Sequence, residues 1–250
     1  MESGFIFDRS IFGTLTNRLV SDWPIGIACI AFARHRPGYA AFQDDDRDPY
    51  FDRNWSETKR LGIPRGAYGW VIPGRNQIDE AKRFISYLGG DFGELAPACD
   101  FEKYITNPSF AELKLFIERV ETLTGKLPYI YTSPGYWASG VGYGNQTWAA
   151  KYPLWQAQWT SAVTPTLRAP FSAWTFWQYS SPGNKRAAEF GAQGTDIDIN
   201  RFNGDVMDFH KLLGADVINP SEPDEPVTID GLTSKVLKLE EWARGIGYKG

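Results

Sequence analysis

The stretch Ala96–Tyr104 reads APACDFEKY and places two carboxylates, Asp100 and Glu102, two positions apart. Side chains alternate between the two faces of a β-strand, so both carboxylates are predicted on one face, with Cys99 and Phe101 on the other. Carboxylates this close disfavour joint ionisation, and one of them then tends to keep a proton near neutral pH. Such a pair suits glycosidic bond cleavage, whereas a solvated acidic strand end is the simpler alternative.

Apolar strands and amphipathic helices alternate around this stretch. Strands are predicted, in chain order, at residues 5–8, 25–34, 65–72, 95–101, 127–131, 154–159, 173–179 and 194–200. Helices are predicted at 49–61, at 76–88 with Ile78 on its apolar stripe, and at 108–124 with Asn107 as N-cap. The alternation predicts an α/β fold with a parallel sheet. About eight strands predict an irregular TIM-like (β/α) barrel with few helices in its last third.

Acidic residues recur where predicted strands end. Asp8, Asp100, Glu102 and Asp198 all lie near the carboxyl ends of such strands. Parallel strands bring their carboxyl ends to one rim of a barrel, and barrel enzymes build their active sites there. The four carboxylates are therefore predicted to share one rim.

The composition argues against nucleic-acid binding and against a bound metal. The 250 residues carry a formal net charge of −4, which argues against a nucleic-acid partner because such proteins usually present a basic patch. Two His and two Cys lie too far apart for metal-ligand spacing, so neither a metal nor another cofactor is expected. Cys29 and Cys99 lie in apolar runs and are expected to be buried free thiols. Ten Trp either line a groove or fill a large core.

Targeting signals are not evident in the sequence. The first residues, MESGFIFD, lack a basic segment followed by a long apolar one, and no apolar run reaches 18 residues. We therefore expect synthesis in the cytoplasm without a signal peptide and no membrane span. A substrate outside the cell would have to be reached by another route.

Several segments resemble glycoside hydrolase family 25, the lysozymes (N-acetylmuramidases) common in bacteriophages and bacteria. The matching segments are residues 66–68 (GAY), 100–102 (DFE), 124–125 (TG), 129–133 (YIYTS), 174–181 (WTFWQYSS) and 197–202 (IDINRF). They follow one another in the family's order. The resemblance implies an irregular eight-stranded barrel that acts on the glycan strands of peptidoglycan.

The resemblance also implies roles for the acidic residues. Glu102 would be the general acid/base that protonates the β-1,4 bond between N-acetylmuramic acid and N-acetylglucosamine. Asp100 would orient the substrate's 2-acetamido group or stabilise the developing positive charge. Asp8 and Asp198 would be supporting carboxylates.

Four aromatic residues are candidates for the sugar-binding surface, and each could equally serve in the core. They are Tyr68, Trp70, Tyr131 and Trp177.

The sequence departs from the family pattern in residues 156–159 (QAQW), which keep only part of it, and at two places near the site. Asp8 is followed by Arg9 and Ser10 where the family usually has Val-Ser, and Gly69 stands where the family usually has His. These departures favour an alternative function, a weak or inactive wall-binding or structural virion module. The intact pair of Asp100 and Glu102 favours the enzyme.

The last part of the chain differs in composition. We predict a catalytic barrel over 1–214, an acidic Pro-rich linker over 215–230 and a short amphipathic helix over 231–250. The helix either folds back onto the barrel or contacts a protein partner or a second copy through 231–247. The protein is expected to act on the cell wall after release by host lysis, or as a virion component.

Overall fold

One mixed β-sheet forms the centre of the computed structural model, which describes residues 5–8, 26–29, 51–60, 64–102, 108–180, 185 and 198–214. Its strands are β1 (Phe5–Asp8), β2 (Gly26–Cys29), β3 (Tyr68–Trp70), β4 (Ala98–Asp100), β5 (Tyr129–Thr132), β6 (Leu154–Ala157), β7 (Phe176–Ser180) and β8 (Asp198–Phe202). The chain divides into two units, Met1–Ala215 and Asp216–Gly250. The predicted linker and C-terminal helix lie outside the described residues.

The strand order is β2-β1-β8-β7-β6-β5-β4-β3. Five neighbouring pairs are parallel, namely β1 with β2 and the successive pairs from β3 to β7. The eight predicted strands are thus present as a mostly parallel sheet. Within the described residues β2 and β3 are its two edges, and no pairing closes it into a barrel.

The direction of the last strand differs from the parallel direction that was predicted. β8 is antiparallel to both of its neighbours, β1 and β7. Asp198 therefore begins its strand instead of lying near the carboxyl end. Because the direction is also reversed, the start of β8 lies at the same rim as the ends of β1 and β7, and Asp198 pairs with Asp8 in the backbone register.

Five α-helices accompany the sheet in the part of the chain that the structure describes. They are α1 (Phe51–Arg60), α2 (Gln77–Ser86), α3 (Phe110–Thr124), α4 (Pro134–Ser139) and α5 (Val206–Leu212), with 3-10 turns at Tyr143–Asn145 and Thr147–Lys151. No helix occurs between β6 and β7, as the predicted lack of late helices requires, but α5 was not predicted. None of the helices described here has the length and hydropathy that a membrane span requires.

Local capping explains where α2 and α3 begin and where α3 ends. The Asn76 side chain accepts from the backbone of Ile78 and Asp79 and starts α2. Ser109, and not the predicted Asn107, caps α3, which ends at Gly125 in the left-handed region with φ 67°. Ile78 is exposed and not part of the buried stripe of α2, which is formed by Ala81, Phe84 and Ile85.

The helices cover what we call the outer face of the sheet. Cys99 and Phe101 point to this face and join a buried apolar cluster with the stripes of α2 and α3. Phe84 of α2 stacks on Phe116 of α3 at 6.2 Å between ring centroids. Cys99 is a buried free thiol, as predicted, and burial raises the pKa of its thiol. The side chain of Cys29 lies outside the described part of the chain.

The opposite, inner face is concave. Tyr129 of β5 lies 5.1 Å from Phe176 of β7 between ring centroids, although β6 separates their strands. Two strand spacings in a flat sheet would be about 9.6 Å. Phe209 of α5 packs against Phe202, at the end of this face where β8 finishes and β7 begins. The sheet therefore curls around an apolar interior.

Candidate functional site

Asp100 is the last residue of β4 and points to the inner face. It stands between Trp70 of β3 and Tyr131 of β5 in the strand register. Ala98, two residues earlier, belongs to the inner apolar cluster, and alternation puts Asp100 on the same side. Its exposed fraction is 6%, so the carboxyl is buried at the rim.

Glu102 lies beyond the end of β4. The backbone pairing continues for one more residue, because the Phe101 amide donates to the Tyr131 carbonyl at 2.8 Å. The Phe101 ring is held on the outer face, 5.2 Å from the Tyr136 ring. Alternation then directs Glu102, which is half-buried, to the face that carries Asp100.

Asp198 joins these residues from the far side of the sheet. Three strands separate β8 from β4, so a flat sheet would keep the two strands about 19 Å apart. Burial and the negative charge of Glu102 nevertheless raise the pKa of Asp198 to about 6. The curvature therefore brings Asp198 within electrostatic reach of Glu102. We call Asp100, Glu102 and Asp198 the carboxylate cluster.

For Asp8 the structure describes the backbone position only. It is the register partner of Asp198 across the antiparallel pair of β1 and β8. Opposite residues of such a pair have Cα atoms about 5 Å apart. The backbone of Asp8 thus reaches the same rim, and this register is all that the structure describes of it.

Three of the four predicted sugar-binding aromatics lie on the face of the carboxylate cluster. Tyr68, Trp70 and Tyr131 are half-buried, and their register positions share the inner face with Ala98 and Asp100. The hydroxyl of Tyr131 donates to Oε1 of Gln178 at 3.1 Å.

Trp177 is not brought to this face. Its neighbour Phe176 belongs to the inner cluster, so Trp177 points outward, where its ring packs on Trp174. It is 1% exposed, and its indole donates to the Gln158 carbonyl at 2.8 Å. A ring this buried offers no surface to a sugar, so Trp177 does not belong to the predicted sugar surface.

Two amide side chains form a polar layer that the sequence reasoning did not assign. Oε1 of Gln178 accepts from both Tyr131 and Trp159, and Oδ1 of Asn200 accepts from the indole of Trp155 at 2.7 Å. Gln178 and Asn200 are also register partners and are fully buried. An amide side chain at the centre of each of these two strands was the signal that could have identified them.

Tyr136 is another residue that the sequence reasoning missed. Burial and the negative charges of Glu112, Glu102 and Asp100 raise the pKa of its phenol to about 12. Its buried hydroxyl has no hydrogen-bond partner among the described residues. Tyr136 is therefore a neutral phenol close to the carboxylate cluster at physiological pH.

Gly69 does not face the site. A Cβ at this position would lie 2.7 Å from Cγ of Phe84 and 3.1 Å from Cζ of Phe116, both on the outer side of the sheet. The residue is glycine because helices α2 and α3 approach the strand closely. The departure from the family pattern at this position therefore removes no group from the inner face.

The described residues offer a second concave feature but no metal site. No three His, Cys, Asp or Glu side chains among them are grouped as a metal site. A cavity of about 680 Å³ lies at the other end of the strands, lined by residues that include Tyr129, Leu154, Thr175 and Leu213. It lies away from the carboxylate cluster.

Comparison with known sequences fixes the family. The sequence profile of glycosyl hydrolases family 25 matches residues 41–187, more than half of the chain. The chain belongs to glycosyl hydrolases family 25. This match includes Asp100 and Glu102, whereas Asp198 lies beyond it.

Relatives in family 25 agree with this assignment. Lysozyme M1 of Streptomyces globisporus is 33% identical over 174 residues, which cover 63% of this chain and 56% of that protein. The N,O-diacetylmuramidase of Chalaropsis sp is 28% identical over 161 residues, covering 59% of this chain and 71% of that protein. The chain thus spans little more than half the length of Lysozyme M1.

The fold is likewise similar to a solved structure. The spore cortex lytic enzyme SleM of Clostridium perfringens superposes with a TM-score of 0.65 at 24% identity, covering 82% of this chain and 68% of that one. The family 25 assignment and the curled, mostly parallel sheet are therefore consistent.

Proposed function

We propose that this protein is a peptidoglycan muramidase, which hydrolyses the β-1,4 bond between N-acetylmuramic acid and N-acetylglucosamine. The observation that carries the proposal is the convergence of Glu102 and Asp198 from distant strands onto one concave face, where Asp100 is already buried. Family membership and the names of its lysozyme and muramidase relatives support it.

Glu102 is the general acid/base of this proposal. It is the more accessible member of the pair with Asp100, and a glycosidic oxygen must be reached by the proton donor. Glu102 protonates the bridging oxygen as the bond to the muramic acid anomeric carbon breaks. It then removes a proton from the water that adds to this carbon.

Asp100 assists from its buried position beside Trp70 and Tyr131. It either orients the substrate's own 2-acetamido group for attack on the anomeric carbon or stabilises the positive charge that develops there. Asp198 and Asp8 support the pair, and the raised pKa of Asp198 allows it to hold a proton near Glu102 at mildly acidic pH. Tyr68, Trp70 and Tyr131 supply the sugar surface.

We propose that β2 and β3 are neighbours in a closed irregular barrel, since the curled sheet supports closure. The barrel would end near residue 214 and be followed by the linker at 215–230 and the helix at 231–250, with 231–247 available to a protein partner or a second copy. The enzyme would be phage-derived and act on the wall after host lysis or from a virion.

A non-catalytic wall-binding or virion module is the alternative. One of the two departures that favoured it, Gly69, lies on the outer face and leaves the carboxylate cluster intact. The observations therefore favour the enzyme.

The proposal is tested with Glu102→Gln and the matched variant Glu118→Gln, which changes an exposed glutamate of α3. Purified wild type should release fragments with new reducing ends at muramic acid, detected as muramitol after borohydride reduction. Glu102→Gln should be slower by about 10²- to 10⁴-fold, and Glu118→Gln should equal wild type.

Two results would contradict the proposed muramidase activity. One is wild type and Glu102→Gln being equally inert on cell walls. The other is a product with new amino termini, which would indicate peptide cleavage.

A further inference from the structure

We propose that Trp159 is a stacking platform for a sugar of the glycan strand, at a unit beyond the two joined by the cleaved bond. This inference rests on the proposed muramidase function and adds a binding residue to it. Trp159 follows the end of β6 by two residues and is 62% exposed. Most Trp side chains are largely buried, so the position of this ring needs an explanation.

The orientation of the Trp159 ring is fixed from the inner face. Its indole nitrogen donates to Oε1 of Gln178 at 3.3 Å, and the same oxygen accepts from the Tyr131 hydroxyl at 3.1 Å. Gln178 is buried, so its side chain is held in place and restrains the Trp159 ring that donates to it. One edge of the indole is thus bonded to the site while its large faces remain in solvent.

The backbone before Trp159 is also held. The amide of Gln158 donates to the Gln178 carbonyl at 3.0 Å, and its carbonyl accepts from the Trp177 indole at 2.8 Å. The Gln158 side chain bonds Thr166 twice, through the Thr166 amide at 2.6 Å and hydroxyl at 3.2 Å. A ring presented by such a segment loses little freedom when a ligand stacks on it.

The ring lies on the rim of the carboxylate cluster. β4, β5 and β6 are successive parallel strands, so their carboxyl ends meet at one edge. Asp100 is the register partner of Tyr131, whose hydroxyl shares an acceptor with Trp159. Strand β5 lies between the strands of Asp100 and Trp159, and Trp159 stands two residues beyond the end of β6, so the ring lies further along the rim from Asp100.

The chemistry around the ring fits a neutral sugar. Residues 159–167 contain no charged side chain and four hydroxyl side chains. A pyranose offers an apolar face of C–H groups to the electron-rich indole face and hydroxyls at its edge.

The experiment measures binding and turnover separately. Trp159→Ala, Trp159→Phe and the control Val163→Ala, an exposed apolar residue of the same segment, are made in wild type and in the Glu102→Gln background. Calorimetry with soluble, peptide-free glycan strands gives Kd in the Glu102→Gln background, and kcat and KM are measured in the active one. Thermal melts confirm that each variant is folded.

We expect Trp159→Ala to raise Kd and KM for long strands by about tenfold, with kcat within about twofold. Trp159→Phe should be intermediate because it keeps a ring but loses the bond to Gln178. Val163→Ala should equal its parent. For the disaccharide MurNAc–GlcNAc, which fills only the two units joined by the cleaved bond and does not reach Trp159, all four proteins should behave alike.

An unchanged Kd for long strands in Trp159→Ala would overturn the inference, and so would a loss of kcat with KM preserved. These failures are distinct from failure of the muramidase itself. In that case the wild type would release no reducing ends at muramic acid, whatever residue stands at position 159.

Discussion

The indole nitrogen of Trp155 donates to Oδ1 of Asn200 at 2.7 Å across the whole width of the intervening strand β7. Both side chains are buried, and the bond joins β6 to β8 inside the concave face. The bond ties β6 to β8 over the inner face of β7. The bond therefore helps to hold the curvature that brings Asp198 to Glu102.

Loss of this bond should weaken the fold. Trp155→Phe leaves Oδ1 of Asn200 buried without its donor, and we expect the free energy of unfolding to fall by about 2–3 kcal/mol. Urea denaturation measures this. Trp148→Phe is the matched control, because its indole also donates to an amide oxygen, that of Gln146 at 2.9 Å, but at a half-buried site. A loss there as large as at Trp155 would show that burial of the bond is not the cause.

The raised pKa of Asp198 predicts a pH-dependent gain in stability for Asp198→Asn. Its pKa is about 6 in the folded protein and near 3.8 when unfolded, so the folded state binds more protons between these values. Wild-type stability therefore declines as the pH rises from about 4 to about 6, and the loss persists above that. Asn carries no charge and escapes this loss. The variant should gain about 1–2 kcal/mol at pH 7 and nothing near pH 3.5.

Urea titrations across this pH range test the Asp198 prediction. A gain for Asp198→Asn that is equal at both ends of the range would mean that the effect is not electrostatic.

Gly69 should be intolerant of any side chain without being needed for activity. Gly69→Ala places a Cβ 2.7 Å from Cγ of Phe84 and should cost about 1–3 kcal/mol of stability. Gly69→His, which restores the usual family residue, should cost more. Gly135→Ala is the control, since a Cβ there meets nothing within 4 Å. Melting temperature and turnover per folded molecule separate the two effects, and lost turnover at unchanged stability would place position 69 in the site after all.

Arg65 should contribute more to stability than Lys59, the exposed cation that also pairs with Asp91. It is 1% exposed, lies 4.5 Å over the Trp55 ring, and pairs with Asp91 at 3.0 Å and Glu94 at 2.8 Å. Arg65→Met should cost about 2–3 kcal/mol, since the half-exposed carboxylates can be rehydrated. Lys59→Met, which removes the exposed partner of Asp91 at 3.1 Å, should cost less than about 1 kcal/mol.

The Arg65 effect should also depend on pH. The hydrogen bond from Arg65 lowers the pKa of Asp91, so this stabilisation is present above the unfolded pKa of 3.8 and is lost as the pH falls below it. The difference between wild type and Arg65→Met should therefore shrink in acid. Equal differences at pH 7 and pH 3 would contradict the ion-pair interpretation.

Much of the inner face was predictable because it depends only on a period of two. The common side of Asp100 and Glu102 follows from alternation around Phe101, whatever the neighbouring strands are. The stripe of α3 from Phe110 to Val120 is set by the helical period in the same way. These features need no knowledge of tertiary contacts.

Features that depend on strand partners were not predictable in this way. The direction of β8 is set by its pairing with β1, almost the whole domain away, and no local residue encodes it. The outward position of Trp177 follows from register, which the strand's own sequence of aromatic residues leaves ambiguous. Helix α5 did carry a local signal, the reciprocal capping pair of Asp205 and Asp208, but with Asp where Glu or Gln is usual.

The adjacency of β1 and β8 has a consequence for biosynthesis. β8 leaves the ribosome roughly 190 residues after β1, which at about 5–20 residues per second is a wait of about 10–40 s. Until then both β1 and β7 lack the neighbour between them, and Asp198 has not met Glu102. The nascent chain thus carries Asp100 and Glu102 early, and its carboxylate cluster is completed only when Asp198 emerges, late in the translation of the domain.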